Sequence, residues 1–207
     1  MKEVNPNDTS RGKAFSMWKN APQPMVTFFK TFDVSKIVKL SRRNDMKFNM
    51  LLCWCIGRSA RDIREFYYLP IGDSLYEYDK LALNVVVKTH DGSISLCDIP
   101  YSDDIREFNA DYLRITNMVY KTNENYELGD DYNIIGTSSI PTCDIDGAVN
   151  MYSGKYNNPF LVWGKYRSGF FKKTLPISFQ FHHVQMDGGD AANYLNTLQK
   201  VMNNINY

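Results

Sequence analysis

The sequence lacks any long apolar segment. Its 207 residues contain no run of roughly 18 to 20 consecutive apolar residues, which is the length that a membrane-spanning helix needs. The start of the chain, MKEVNPND, is polar and is not followed by the apolar stretch of a secretory signal. We therefore expect a protein that does not cross a membrane, and the missing export signal favours a cytoplasmic location.

An excess of charge of one sign is also lacking. Lys and Arg number 24 against 23 for Asp and Glu, giving a net charge of +1, and the basic residues are scattered along the chain. A nucleic-acid-binding surface is therefore not expected, because such proteins concentrate positive charge. The four cysteines show no C-x-x-C spacing, and three lie in apolar or strand-like sequence. Buried, reduced thiols in an intracellular protein fit this pattern.

Several catalytic motifs are absent. The sequence has no G-x-S-x-G elbow, no G-x-G-x-x-G turn and no P-loop. The motifs that usually indicate a serine hydrolase, a dinucleotide oxidoreductase or an NTPase are therefore missing. Only three histidines occur, and the spacing of His182, His183 and Asp187 does not suit a two-histidine metal site. Neither a metal nor a permanently bound cofactor is expected. A zinc-dependent hydrolase stays an outside alternative.

The length and the hydrophobic periodicity predict one α+β domain over residues 1–207, since a domain commonly has roughly 100 to 200 residues. No β-α-β repeat is visible, so we expect a two-layer sandwich: a mixed, largely antiparallel sheet with helices packed on it. Residues 1–10 are predicted to form a loose arm. Helices are predicted at 11–18, 33–43, 47–66, 102–121 and 189–203, and strands at 25–32, 67–70, 74–79, 81–88, 93–99, 133–139, 147–152, 160–167 and 175–181.

Two adjacent histidines follow the last predicted strand. Neighbouring strand residues point to opposite faces, so His182 and His183 cannot share one role. The pair precedes Asp187-Gly188-Gly189 and a helix, a rigid strand end of the kind that often carries catalytic groups. Histidine can accept and return a proton near neutral pH. The residues alone leave three interpretations of the histidine pair open: a general base, a buried structural histidine, or half of a metal site.

The run His182-His183-Val-Gln-Met-Asp187-Gly188 resembles the H-H-x-x-x-D-G signature of coenzyme-A-dependent acyltransferases, and its position near the carboxyl terminus resembles the chloramphenicol acetyltransferase family. Three further segments are similar to that family in the same order, so the resemblance covers nearly the whole chain. They are Arg11-x-x-x-Phe15, Pro100-Tyr-Ser-Asp-Asp-Ile105 leading into Phe108 and Tyr112-Leu113, and Ser138-Ser139-Ile140-Pro141.

The resemblance implies a mechanism. His183 would be the general base of an acetyl transfer from acetyl-CoA, the co-substrate, to an acceptor hydroxyl such as that of chloramphenicol, giving antibiotic resistance. Ser138 would stabilise the oxyanion, with Thr137 and Ser139 as alternatives one residue away. Asp187 and Arg11 would pair to support the site structurally, and the imidazole tautomer would be fixed by the backbone carbonyl of His183.

The resemblance also implies a homotrimer with active sites at the subunit interfaces, and coenzyme contacts at Lys165 and Tyr166. The acceptor pocket departs from the family pattern at Trp18, Ala148 and Asn150. These changes keep two alternatives open. The acceptor could be another hydroxylated or amine-bearing small molecule, or the chain could be a non-catalytic trimer that binds an aromatic ligand.

Overall fold

The structure is a computed structural model that describes residues 1–152 and 154–207. Within this part of the chain there are five α-helices and ten β-strands. The helices are α1 (Gly12–Trp18), α2 (Ser35–Arg43), α3 (Phe48–Ala60), α4 (Ile105–Thr122) and α5 (Gly188–Asn204). The strands are β1 (Lys2–Val4), β2 (Met25–Asp33), β3 (Tyr68–Ile71), β4 (Ser74–Glu77), β5 (Lys80–Lys88), β6 (Ile94–Pro100), β7 (Tyr132–Ser139), β8 (Phe160–Trp163), β9 (Arg167–Ser168) and β10 (Lys173–His182).

The main sheet is mixed, as the sequence predicts. Its strand order is β2-β10-β8-β7-β5-β6, with β9 paired to the beginning of β10. β7 runs parallel to both β5 and β8, whereas the β2-β10, β10-β8 and β5-β6 pairs are antiparallel. A small antiparallel sheet, β1-β4-β3, lies beside it. β10 is thus a central strand whose end carries the two histidines.

One face of the main sheet packs on the helical layer. Phe179 of β10 lies 4.8 Å from Tyr194 of α5 and 6.0 Å from Phe66, measured between ring centroids. α3 buries nine of its thirteen residues, which explains its weak amphipathic pattern, and Gly57 in it leaves room for the Tyr101 ring. Burial of these aromatic rings supplies much of the hydrophobic stabilisation. The α+β, two-layer prediction is confirmed.

Several local predictions differ from the structure. The helix predicted over 47–66 ends at Ala60 and is followed by a short 3-10 helix, Arg64–Tyr67. The amino-terminal arm is not loose, because β1 pairs with β4. Residues 147–152 form no strand, and the strand predicted over 160–167 stops at Trp163 before the short strand β9. For the amino-terminal arm, pairing with β4 outweighs local propensity.

The other face of the main sheet is partly covered by the segment 140–152. The Ala148 amide donates to the Ser178 hydroxyl at 2.8 Å, and the Gln180 side-chain amide donates to the Asn150 carbonyl at 3.1 Å. Contacts to side chains of β10 therefore replace the strand pairing predicted for 147–152. Among the described helices, none combines the length and apolarity that crossing a membrane would require.

Candidate active site

The two histidines at the end of β10 point in different directions, as strand geometry requires. His182 is buried, and its Nδ1 accepts a hydrogen bond from the Val184 amide at 3.1 Å. Burial, together with the neighbouring His183, lowers the pKa of His182 from 6.5 to about 4. His182 is therefore neutral at physiological pH, and its buried, hydrogen-bonded ring is that of a structural histidine.

His183 keeps a partly open side chain, with 31% of its surface exposed. Its ring stacks on the Trp18 indole at 4.9 Å between centroids and 11° between planes. Its backbone amide donates to the Pro24 carbonyl at 2.9 Å, which fixes the main chain where it leaves the sheet. The imidazole is therefore held in one plane at the surface, where it can meet a substrate.

Arg11 forms a clamp beneath His183, here called the Arg11 clamp: the guanidinium with its contacts to the 183–187 turn. The Arg11 side chain is 3% exposed. Its Nη2 donates to the His183 carbonyl at 3.1 Å, its Nε donates to the Val184 carbonyl at 2.8 Å, and both Nη atoms contact the Asp187 carboxylate at 2.9 and 3.2 Å. One buried cation thus fixes the entire turn that carries His183. The predicted pairing of Arg11 with Asp187 is present.

Asp187 is also the N-cap residue of α5. It forms a capping box with Asp190, whose carboxylate accepts the Asp187 amide at 3.0 Å. The hydrogen bond from Arg11 lowers the pKa of Asp187 below its ordinary value, outweighing the effect of burial. The carboxylate therefore stays charged at neutral pH and ties the turn to the helix.

The orientation of the His183 ring differs from the expectation. Its Nδ1 is buried and makes no hydrogen bond within residues 1–152 and 154–207, and Asp187 Oδ1 lies 3.4 Å away. The His183 carbonyl, expected to bind Nδ1, instead accepts from Arg11. In this structure the Trp18 stack, rather than a bond to its own carbonyl, sets the plane of the ring.

Strand alternation separates the three candidate hydroxyls on β7. The Thr137 hydroxyl is buried toward α3, donates to the Asn84 carbonyl at 2.7 Å and lies 3.9 Å from the Cys53 sulfur. Ser139, two residues on, shares that face. Ser138 points to the opposite face, in register with Val162 and Ser178, where the 140–152 segment lies. Of the three candidate hydroxyls, Ser138 is therefore the one that belongs to that face.

His183 and Ser138 of one chain are far apart. Ser138 is in register with Ser178, which precedes His183 by five residues and is two strands away. At roughly 3.3 Å per residue and about 4.8 Å per strand, the separation is about 19 Å. A single chain does not bring these two predicted catalytic residues together.

The three residues predicted for the acceptor pocket also divide into two groups. Trp18 lies on His183. Ala148 and Asn150 lie on the Ser138 face through their bonds to Ser178 and Gln180. Gly147 approaches the sheet so closely that an added Cβ would lie 2.4 Å from the Phe29 ring. A close backbone contact of this kind leaves no pattern in a single sequence.

The predicted coenzyme contacts follow β8. Lys165 is exposed, and its amide donates to the Cys143 carbonyl at 2.7 Å. The Tyr166 ring packs on Phe48 at 5.4 Å between centroids, and its hydroxyl accepts a bond from Arg42 Nη2 at 3.3 Å. Arg42 lies on α2, so no local sequence pattern links it to Tyr166.

The buried His182 predicts a pH dependence of stability. The folded-state pKa is about 4 against 6.5 for the free side chain, so between these values the unfolded chain binds a proton that the folded chain does not. The contribution is complete above pH 6.5 and is lost as the pH falls toward 4, for a total of about 3 kcal/mol. Chemical denaturation at several pH values between 7.5 and 4.5 measures it. The His182→Gln variant should show a shallower slope, and equal slopes would contradict the assignment.

Comparisons with known proteins identify the family of the chain. The family model "CAT: Chloramphenicol acetyltransferase" matches residues 1–199. The chain is 24% identical over 206 residues to chloramphenicol acetyltransferase 2 of Escherichia coli, covering 98% of this chain and 97% of that protein, and equally identical to the protein of that name from Haemophilus influenzae. A solved chloramphenicol acetyltransferase superposes with a TM-score of 0.84 at 18% identity, covering 97% of this chain and all of the other. The chain therefore belongs to the chloramphenicol acetyltransferase family.

Proposed function

We propose that the protein transfers an acetyl group directly from acetyl-CoA to a hydroxyl of a small acceptor, the 3-hydroxyl of chloramphenicol or a similar group, with His183 as general base. The observation that carries the proposal is the mounting of His183. Its imidazole is partly exposed, stacked on Trp18 and held from below by the Arg11 clamp. A base of this kind needs a fixed orientation and access to the substrate.

The reaction needs one proton carrier and one oxyanion donor. The imidazole of His183 takes the proton of the acceptor hydroxyl while the oxygen forms a bond to the thioester carbon. The Ser138 hydroxyl donates a hydrogen bond to the oxyanion that develops. The carbon–sulfur bond then breaks, and the imidazolium returns the proton to the departing thiolate. The acetyl group stays on one substrate or the other, so positioning rather than an acyl-enzyme supplies the rate gain.

We also propose that the protein is a homotrimer in which each active site combines His183 of one chain with Ser138 of the next. The separation of about 19 Å between these residues within one chain supports this arrangement. The Ser138 face also exposes large apolar side chains, namely Phe29, Val149 and Met151 at 55%, 64% and 92%. A neighbouring subunit would cover part of this surface. A cytoplasmic location, where acetyl-CoA is supplied, completes the proposal.

The acceptor separates the two enzyme hypotheses. Trp18 brings a large indole against the base, which narrows the space beside His183. In the proposed trimer, Ala148 and Asn150 lie on the Ser138 face of the next chain, and these residues are small or polar. These residues favour an acceptor of different shape from chloramphenicol, either a hydroxylated or an amine-bearing molecule. A non-catalytic trimer that binds an aromatic ligand is the remaining alternative.

Thiol release from acetyl-CoA tests the proposal. Purified protein is incubated with chloramphenicol and with a panel of other alcohols and amines, and free thiol is followed spectroscopically. Release with chloramphenicol supports the full proposal, and release with another acceptor alone supports the transferase with a different substrate. Silence with every acceptor, although the ligands bind, would contradict the enzyme and favour the non-catalytic alternative.

The variant Asp187→Asn tests the supporting role of the Arg11 clamp. Removing the charge leaves a buried guanidinium with fewer partners, so we expect a loss of about 1–3 kcal/mol in the free energy of unfolding. The maximal rate should fall by less than about tenfold, because Asp187 supports the turn and carries no proton in the reaction. Asp190→Asn is the matched control: its carboxylate lies 3.7 Å from the guanidinium, and its loss should cost less stability. A folded Asp187→Asn protein whose rate falls as far as that of His183→Ala would assign Asp187 to the proton transfer itself.

A further inference from the structure

The side chain of Gln185 attaches the turn that carries His183 to the small sheet. Gln185 is fully buried, and its Nε2 donates to the Tyr68 carbonyl of β3 at 2.7 Å, across 117 residues of sequence. Its backbone amide donates to the His182 carbonyl at 2.9 Å, so the residue belongs to the turn itself. The side-chain bond therefore joins the main chain beside the base to a strand outside the main sheet.

Other side-chain amides bind the same edge of β3, which is an edge strand of the small sheet. Asn133 also donates to the Tyr68 carbonyl, at 3.4 Å. Asn157 donates to the Pro70 carbonyl, two residues further along, at 2.7 Å. These bonds cover an open strand edge in place of a neighbouring strand. The Tyr68 carbonyl would thus keep a donor without the bond from the turn.

The ring that stacks on His183 rests on the same strand. A small buried cluster, separate from the main core, joins α1, the turn and the small sheet. Its members are Phe15, Tyr68, Leu75 and Val184. Trp18 packs against this cluster and stacks on the imidazole of His183. The positions of both stacked rings are therefore set relative to β3, one by packing and the other through the turn.

The burial of Gln185 is unfavourable in part. Its Oε1 is buried and accepts no hydrogen bond from residues 1–152 or 154–207. A buried amide oxygen without a partner costs stability, and an apolar side chain of similar size avoids that cost. Since Asn133 already binds the Tyr68 carbonyl, the fold gains little from a glutamine here. The value of the bond lies in the placement of the turn.

We propose that Gln185 is a positioning residue for the general base: its bond to β3 sets the distance between the His183 turn and the cluster on which Trp18 lies. The Arg11 clamp binds the carbonyls of the turn, and Gln185 ties the same turn to β3. A base must be held within roughly 0.5 Å of its productive position, and a misplacement of about 1 Å can cost about 10²-fold in rate. The inference rests on the proposed transferase function.

The kinetic test compares Gln185→Leu with Asn157→Leu. Both amides donate to a β3 carbonyl at 2.7 Å, and both have a buried oxygen without a partner among the described residues, but Asn157 lies in a segment that does not carry the base. For Gln185→Leu we expect kcat to fall about tenfold or more, with KM for acetyl-CoA within about twofold of wild type. Asn157→Leu should keep the wild-type kcat.

Stability separates positioning from a structural role. The urea midpoint of Gln185→Leu should stay close to that of wild type, because the Tyr68 carbonyl keeps the bond from Asn133. Gln185→Met, with an unbranched chain of similar length, is measured in parallel in case the branched side chain prevents folding, and the same results are expected. A wild-type kcat in either folded Gln185 variant, or an equal loss in Asn157→Leu, would overturn the proposal.

The proton signals of the His183 ring test the positioning without any acetyl transfer. The Trp18 indole lies 4.9 Å from this ring at 11° between planes, so its ring current shifts the signals upfield. The chain has three histidines, and the variants His90→Ala and His183→Ala assign their signals. The upfield shift should shrink in Gln185→Leu and persist in Asn157→Leu. If the protein lacks transferase activity but shows this pattern, the proposed function fails while the positioning of His183 stands. An unchanged shift in Gln185→Leu would overturn the inference whatever the activity.

Discussion

Replacing His183 with alanine is expected to remove acetyl transfer almost completely. General base catalysis contributes about 10² to 10⁴-fold in rate, and no other described side chain is stacked and clamped at this position. The fold should survive, because the imidazole is partly exposed and its Nδ1 makes no hydrogen bond to the described residues. Thiol release from acetyl-CoA measures the loss, and the affinity for acetyl-CoA should stay within about twofold.

The control for this substitution is His90→Ala. His90 lies in an exposed turn away from His183, where its ring contacts the Tyr120 carbonyl and ring, so its loss should leave the rate unchanged. Circular dichroism and sedimentation of both variants verify folding and assembly. A His183→Ala protein that folds and retains more than a tenth of the wild-type rate would show that the base lies elsewhere.

The fold was largely predictable because its elements have strong periodic signals. α4 begins where the sequence predicts a cap, with the Asp104 carboxylate accepting the Arg106 amide at 2.8 Å, and β5 and β6 pair as an antiparallel hairpin over nearly the predicted residues. The errors fall where long-range contacts decide. Residues 147–152 have the composition of a strand, but their backbone bonds to Ser178 and Gln180 side chains.

The candidate site was predictable only in part. The pairing of Arg11 with Asp187 came from the resemblance, because 176 residues separate them and no local pattern links them. The choice between Thr137 and Ser138 as oxyanion donor was open in the sequence, because a sequence does not show which face of β7 meets which layer. In the structure the two side chains lie on opposite faces of β7, and Thr137 is bonded to the Asn84 carbonyl. The Trp18 stack on His183 joins side chains from distant elements, so a single sequence cannot reveal it.

Mixed trimers provide the sharpest test of a site shared between subunits. Ser138→Ala alone should reduce kcat by about 10² to 10³-fold through the loss of the oxyanion donor. His183→Ala chains keep Ser138, and Ser138→Ala chains keep His183. If each site takes one residue from each of two neighbours, refolding the two inactive proteins together in equal amounts should restore activity. A site is complete when the chain that supplies the base carries His183 and the next chain carries Ser138. Random assembly of equal amounts produces this arrangement at about one quarter of the sites, so about one quarter of the wild-type rate should return.

The control for complementation is the double variant His183→Ala, Ser138→Ala. Refolded with either single variant, it leaves every possible site without one of the two groups, so no activity should return. If the two single variants also remain inactive together while native mass spectrometry shows mixed trimers, both residues act within one chain. The separation of about 19 Å would then have to close by a rearrangement of β10 against β7, two strands that both pair with β8. Strands so tightly joined through a common neighbour resist such a movement, and for this reason we expect recovery.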